Sequence, residues 1–267
     1  MTDSSLTESK KFSEGSATPE ARRVTQKSPT VGKSIGWLIV FGLLFYGAVV
    51  IYGLIYGGYL VLTEPDRFTD RQAIEGAIRN AMISPSGIAM TFAIQAILLI
   101  PLIIWASNFA HQSWRETLAF KSVASSVLGL WFLVYVVYFV LQGIAQSFMP
   151  IEHEDIVSSL AGSSHLGLAL GMVLVAPVIE ELVFRGYLFK AWRHTRLGLW
   201  GTLVLTSLLF TVVHAAQYSI LLLLYVFALS MLLGLARERT GSIWVPIMIH
   251  SFNNLIAVIA LVYVGMV

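Results

Sequence analysis

The sequence predicts an all-α, polytopic transmembrane helix bundle of about seven spans, or eight if one further stretch inserts. Three observations lead there. Of 267 residues, 57% are hydrophobic and only 12% are charged, with a mean hydropathy of +0.77. A soluble domain averages about 25% charged residues. Apolar runs near the ~20 residues needed to span a bilayer recur along the chain. The few strongly polar groups inside those runs fall at helical spacings.

The elements follow in order. Residues 1–34 are rich in Ser, Thr, Lys and Glu and carry almost no large apolar side chains. Such a segment cannot bury enough surface to offset its ordering entropy, so a disordered tail is expected. The first apolar run, from Ile35 to Leu62, is too long for the 7–15-residue core of a secretory signal and reads as a membrane helix. Spans are expected near 35–63, 88–108, 123–148, 166–190, 199–217, 218–236 and 242–265. The short junction at Gln217-Tyr218 makes the fifth and sixth a tight hairpin. Between Glu64 and Gly87, Ile74, Ala77, Ile78, Ala81 and Met82 recur at helical spacing in a polar setting, which predicts an interfacial helix. Gly53, Gly57 and Gly58 are read as points of close helix packing. Trp37, Trp105, Trp192, Trp200 and Trp244, near span ends, are read as interfacial anchors. The chain divides into the 1–34 tail, N-terminal membrane helices with the interfacial stretch over 35–122, and a C-terminal core over 123–267.

Charge bias sets the expected orientation. With the tail cytoplasmic, the inside collects Lys10, Lys11, Arg22, Arg23, Lys27 and Lys33, then Arg115, Lys121, Lys190, Arg193, Arg196, Arg237 and Arg239. The outside holds Arg67, Arg71 and Arg79 among several acids, and the 149–165 loop has Glu152, Glu154 and Asp155 without Lys or Arg. The expectation is a multi-pass cell-membrane protein with its N-terminus cytoplasmic and lipid as its first partner. A net charge of +2 without a basic block gives no reason to expect nucleic acid. The chain contains 0 cysteines, which excludes disulfides, thiolate nucleophiles and cysteine metal sites.

Inside the spans, the strongly polar residues are Glu180, Glu181 and Arg185 on the fourth helix, His214 on the fifth, and His250, Asn253 and Asn254 on the seventh. A charge near the bilayer centre costs at least ~2.5–3.5 kcal/mol, so a group of three implies a site. At 1.5 Å per residue, Glu180 lies roughly 15 Å from the cytoplasmic end, His214 roughly 22 Å, His250 roughly 12 Å and Asn254 roughly 18 Å. Three helices can therefore bring these groups to one cavity. Glu181 and Arg185 are i,i+4 with the acid first, the favourable order for an ion pair on one face. Glu180 is rotated about 100° from that face and is free to look elsewhere. Pro177 is expected to kink the helix and release a backbone carbonyl. His250 and Asn254 share a stripe; Asn253 points away and is the weaker candidate. A carboxylate with an imidazole can hold and deprotonate a water, and two fixed N–H donors can receive a developing oxyanion. Glu180 with His214 suits the first task, His250 with Asn254 the second. No Gly-x-Ser-x-Gly elbow appears, so a nucleophilic serine has no support.

At these residues the sequence resembles the CPBP family, the CaaX proteases and bacteriocin-processing enzymes also called Abi. Two glutamates, three residues and an arginine match Glu180-Glu181-Leu-Val-Phe-Arg185; Phe-x-x-x-His matches Phe210 to His214; His-x-x-x-Asn matches His250 to Asn254. Each motif is weak alone; three in order on successive apolar segments are specific. The resemblance spans roughly 123–265 and implies an intramembrane endopeptidase of the glutamate type, acting on a membrane-anchored protein or peptide, CaaX-like or a leader peptide. By it, Glu180 and His214 activate water, His250 and Asn254 stabilise the oxyanion, and Glu181 and Arg185 support the site. No cofactor is implied. A metal stays open, since Glu, His and His are zinc-competent donors, although no His-Glu-x-x-His helix is present. Two other classes fit a buried Glu–His group: a non-catalytic membrane scaffold or immunity protein, and a proton-coupled transporter. The paired, broken-helix halves common in transporters are not visible.

Overall fold

A computed structural model describes residues 30–64, 71–108, 112–148 and 166–260. The expectations for the tail up to residue 29, the acidic 149–165 loop and the last helix beyond residue 260 lie outside these residues. The described helices are α1 (Val31–Thr63), α2 (Arg71–Ile83), α3 (Pro85–Ala106), the single turn α4 (Trp114–Thr117), α5 (Ser125–Phe148), α6 (Leu166–Trp192), α7 (Gly198–Val213), α8 (Ile220–Thr240) and α9 (Trp244–Ile259).

Five of them, α1, α3, α5, α6 and α8, are long and apolar enough to cross a membrane, at 33, 22, 24, 27 and 21 residues. The chain is an all-α, multi-pass membrane protein. The other two apolar helices, α7 and α9, have 16 residues each. At about 1.5 Å per residue α7 rises about 24 Å, short of a ~30 Å hydrocarbon core, whereas α9 runs up to the end of the described residues. For α7 this differs from the expected 199–217. The helix ends at Val213 because the His214 N–H turns back to Thr211 O at 3.0 Å and the chain reverses within residues 214–219. α1 begins at Val31 rather than Ile35, where the Thr30 hydroxyl accepts from Lys33 N at 3.3 Å.

The interfacial stretch forms α2, which buries none of its residues fully. It lies close on α1: a Cβ on Gly53 would come within 3.1 Å of Met82 Sδ, and one on Gly57 within 2.8 Å of Ile78 Cδ1. These two glycines permit the approach; Gly58 faces open space. α7 and α8 make the expected tight hairpin, and a Cβ on Gly234 would meet Leu203 Cδ2 at 2.5 Å.

The core is built around the second half of α6. Leu182, Tyr187, Leu188 and Trp192 pack with Phe41 of α1, Leu99 and Ile103 of α3, Phe210 of α7 and Ile247 of α9. Trp192 is no surface anchor. It is 2% exposed, and its indole N–H donates to Ser34 Oγ at 2.8 Å, tying α1 to α6. Trp105 and Trp200 are exposed, as anchors would be. α5 stands at the periphery with Leu130, Leu133, Val137 and Leu141 exposed, and Tyr135 is its one buried residue.

Two stretches of α6, Gly171–Val175 and Leu182–Leu188, are wound as π-helix. Between them lies the short α segment Ala176–Glu181, which carries Pro177 and both glutamates. Widening the helix to i→i−5 pairing changes which carbonyls find partners, and such bulges are frequent at functional sites. Here Ala176 N–H pairs with Gly171 O. The next donor in that register would be residue 177, a proline without an N–H, so Met172 O is left for another group.

Candidate active site

The deepest part of the site is an ionic knot. Glu181 is 0% exposed, and its Oε1 accepts from Arg185 Nη1 at 2.9 Å and from His250 Nδ1 at 2.9 Å. The i,i+4 pair expected on one face of α6 is thus present and reaches α9 as well. Arg185 Nη2 donates to both atoms offered by Ser230 on α8, the carbonyl at 2.9 Å and Oγ at 2.6 Å. Its guanidinium also lies 4.7 Å from the centroid of the Phe210 ring. Four helices, α6 to α9, therefore meet on one acid and one base. A buried charge pair depends on its remaining hydrogen-bonding capacity being met; these contacts meet part of it, and Glu181 Oε2 and Arg185 Nε take no hydrogen bond among the described residues.

Glu180, one residue earlier, faces the other way. Its Oε2 lies 4.0 Å from His214 Nε2 and 3.8 Å from His250 Nε2. This oxygen is buried and takes no hydrogen bond among the described residues. Each imidazole is fixed through its other nitrogen. His214 Nδ1 is 2.7 Å from Phe210 O, an acceptor only, so Nδ1 carries a proton and the ring turns its Nε2 toward Glu180. His250 Nδ1 donates to Glu181, which turns its Nε2 toward the same oxygen. The spacing Phe-x-x-x-His has a concrete use here: Phe210 holds His214 by its carbonyl and backs Arg185 by its ring.

His214 lies at the end of its helix rather than inside it. It caps the C-terminus of α7, at the start of the turn into α8. Tyr218, in the same turn, lays its ring on the imidazole with centroids 6.0 Å apart and planes at 10°.

Asn254 is placed differently from the other candidates. Its Nδ2 donates to Met172 O at 2.9 Å, the carbonyl that Pro177 leaves open. Asn253, read from the sequence as the weaker candidate, is not idle. Its Oδ1 accepts from Tyr135 OH on α5 at 3.1 Å, and its Nδ2 approaches Asn254 Oδ1 at 3.4 Å.

Several residues of the site escaped the sequence reading. Ser230 and Tyr135 lie in apolar runs where one hydroxyl attracts no notice. Arg237, which the loop charges place at the cytoplasmic side, is 9% exposed and its Nε donates to Arg185 O at 3.1 Å. Gly241, at φ 64°, ends α8. Taken as a left-handed C-cap, it extends the helix through Arg237 and carries the arginine in among its neighbours. Arg185 lies in the second π stretch, so Arg237 serves a carbonyl there much as Asn254 serves one in the first. Among the described residues, no group of three or more His, Cys, Asp or Glu side chains has the spacing of a metal site.

Residues 162–256 match the model of a protein family described as type II CAAX prenyl endopeptidase Rce1-like. This segment is similar to the Rce1-like family. All three motifs lie inside it, whereas α5 and the N-terminal helices lie outside. Among curated proteins, the chain is 30% identical over 82 residues to an uncharacterized 24.3 kDa protein of Escherichia coli, covering 30% of this chain and 38% of that protein. It is 26% identical over 136 residues to the UPF0177 protein YajF of Lactococcus lactis subsp. lactis (strain IL1403), covering 48% of this chain and 63% of the relative. The chain thus spans less than two thirds of the length of these relatives. No solved structure matches it.

Proposed function

We propose that this protein is an intramembrane endopeptidase, hydrolysing a peptide bond of a membrane-anchored protein or peptide through a water activated by Glu180 and His214. The observation that carries the reading is the convergence of His214 Nε2 and His250 Nε2 on Glu180 Oε2 at 4.0 and 3.8 Å. With His214 neutral, its Nε2 and Glu180 Oε2 are both acceptors. Two acceptors at that separation can each take one hydrogen of a single water, leaving its lone pairs free to attack a carbonyl carbon. As the C–O bond forms, one proton passes to the Glu180–His214 pair. It is then given to the amide nitrogen as the C–N bond breaks.

The tetrahedral oxyanion needs donors on the opposite side. His250 Nε2 can serve when both its nitrogens are protonated, with Glu181 as the counter-charge at Nδ1. Asn254 has a second Nδ2–H beyond the one spent on Met172 O, and we assign it the same role. Glu181 and Arg185 support the site by holding His250 and by joining α6 to α8. The substrate is a membrane-associated CaaX-like protein or a leader peptide. The protein sits in the cell membrane with its N-terminus cytoplasmic, where lipid surrounds its apolar faces. No cofactor is assigned.

Quantitative N-terminal proteomics on membranes tests this, comparing wild type, Glu180→Gln and a null allele. New N-termini found only with wild type are expected, and they would identify the substrate and its cleavage position. A Glu180→Gln profile equal to wild type would reject catalysis; if the null still differs in phenotype, the role is that of a scaffold.

A further inference from the structure

The hydrogen bonds around Asn254 form a series whose donor and acceptor roles are all forced from one end. Met172 O can only accept, so the atom of Asn254 facing it must be Nδ2, at 2.9 Å. The other amide atom of Asn254 is then Oδ1, and the atom of Asn253 that approaches it at 3.4 Å must be Nδ2. This leaves Asn253 Oδ1 toward α5, where the Tyr135 hydroxyl donates to it at 3.1 Å. An amide whose two ends look nearly alike is thereby given one orientation. Tyr135 is 0% exposed on a helix otherwise turned outward, and its ring stacks edge-on to Phe252 at 5.9 Å. Burying a phenol beneath lipid-facing residues is costly unless its hydroxyl is bonded, and the bond it makes is to the residue beside Asn254.

We propose that Tyr135 and Asn253 are positioning residues for the reaction, holding the Asn254 amide so that its second N–H is presented to the oxyanion. The proposal rests on the endopeptidase reading above. It gives α5, which lies outside the family match, a part in the chemistry. It also gives Pro177 one: by lacking an N–H it leaves Met172 O as the fixed end of the series. Asn254 is thus clamped between α6 and α5. Were the amide to turn over, Oδ1 would meet Met172 O and an acceptor would face the developing negative charge.

The test uses the full chain in nanodiscs and two readouts. The first is NMR of side-chain amides after 15N-asparagine labelling, simple because the sequence has four asparagines, Asn80, Asn108, Asn253 and Asn254. The second is turnover of a peptide spanning the cleavage position that the proteomics identifies. The variants are Tyr135→Phe, Asn253→Ala and their double. Tyr138→Phe is the matched control, since its phenol on the same helix donates to Tyr225 O at 2.9 Å and its hydroxyl bonds to no residue of the series, while its ring, 6.2 Å from that of Tyr135, is kept by the substitution.

Tyr135→Phe should shift the Asn254 amide resonances, while Tyr138→Phe leaves them in place. Tyr135→Phe and Asn253→Ala should each lower kcat roughly tenfold with KM within about twofold, a partial loss compared with removing an oxyanion donor outright. The double variant should lose no more than either single one, because both act through one series. Thermal midpoints of Tyr135→Phe and Tyr138→Phe should agree. An unmoved Asn254 signal in Tyr135→Phe overturns the proposal, as does a kcat equal to that of Tyr138→Phe while wild type cleaves. Absence of wild-type cleavage removes the endopeptidase reading instead. The amide signal then decides alone whether Tyr135 orients Asn254.

Discussion

Adjacent glutamates in this chain have opposite surroundings, and that difference sets what their loss should do. Glu181 is fully buried and bonded to Arg185 and His250, whereas Glu180 is 14% exposed and takes no hydrogen bond at Oε2. Glu180→Gln should therefore abolish turnover and move the thermal midpoint by no more than about 2 °C, since it breaks no native bond. Arg185→Met should behave in the opposite sense. It leaves the buried Glu181 carboxylate without its guanidinium and with His250 alone, at a cost of about 3–5 kcal/mol, read as a large drop in the unfolding midpoint in detergent. Equal destabilisation by the two substitutions would contradict the division of labour seen here. The i,i+4 spacing made the Glu181–Arg185 pair readable in advance. Ser230 was not, because nothing in an apolar run says which hydroxyl will meet a guanidinium on another helix.

At the scale of single elements, α6 departs most from an ideal helix, and it does so on both sides of the glutamates. The Gly171–Val175 π stretch and Pro177 together leave Met172 O to Asn254, and the Leu182–Leu188 stretch includes Arg185, whose carbonyl takes Arg237. Pro177→Ala restores a backbone N–H that can compete with Asn254 for this carbonyl. The thermal midpoint should not fall, because a proline in a helix interior is itself costly. Turnover should nevertheless fall roughly tenfold through a misplaced amide. Unchanged turnover would show that Asn254 does not need Met172. A kink and a released carbonyl could be anticipated from Pro177 alone. Which carbonyl, and that a side chain from α9 would fill it, depended on the π register, for which no residue pattern is diagnostic. The hairpin of α7 and α8 offers a second test of packing. Gly234→Ala places a methyl 2.5 Å from the flexible end of Leu203, and overpacking of this kind costs about 1–3 kcal/mol. Thermal unfolding should show it with turnover per folded molecule unchanged.

For the whole molecule, the proposed topology puts the N-terminal tail and the 193–197 turn on one side and the 149–165 loop on the other. A chain with 0 native cysteines makes this simple to check. Single cysteines at Ser16 and Thr195 should resist a membrane-impermeant maleimide in intact cells, while one at Ser159 should label. The reverse pattern would overturn the orientation drawn from the loop charges.

Composition and apolar periodicity by themselves determined that this is a multi-pass helical membrane protein, where its apolar helices lie, and that α2 is amphipathic. Those properties are local sums over consecutive side chains, and they survive errors of a few residues at each boundary. The spacings Glu-Glu-x-x-x-Arg, Phe-x-x-x-His and His-x-x-x-Asn likewise marked the polar residues before any contact was known. Only the tertiary structure decided that Glu180 lies between two imidazoles while Glu181 is sealed into the core, that Arg237 and Trp192 are interior, and that Tyr135 and Asn253 adjoin the site. Each of those facts depends on which face of one helix meets which face of another. A helical sequence states the period of its faces but not the partner each one packs against.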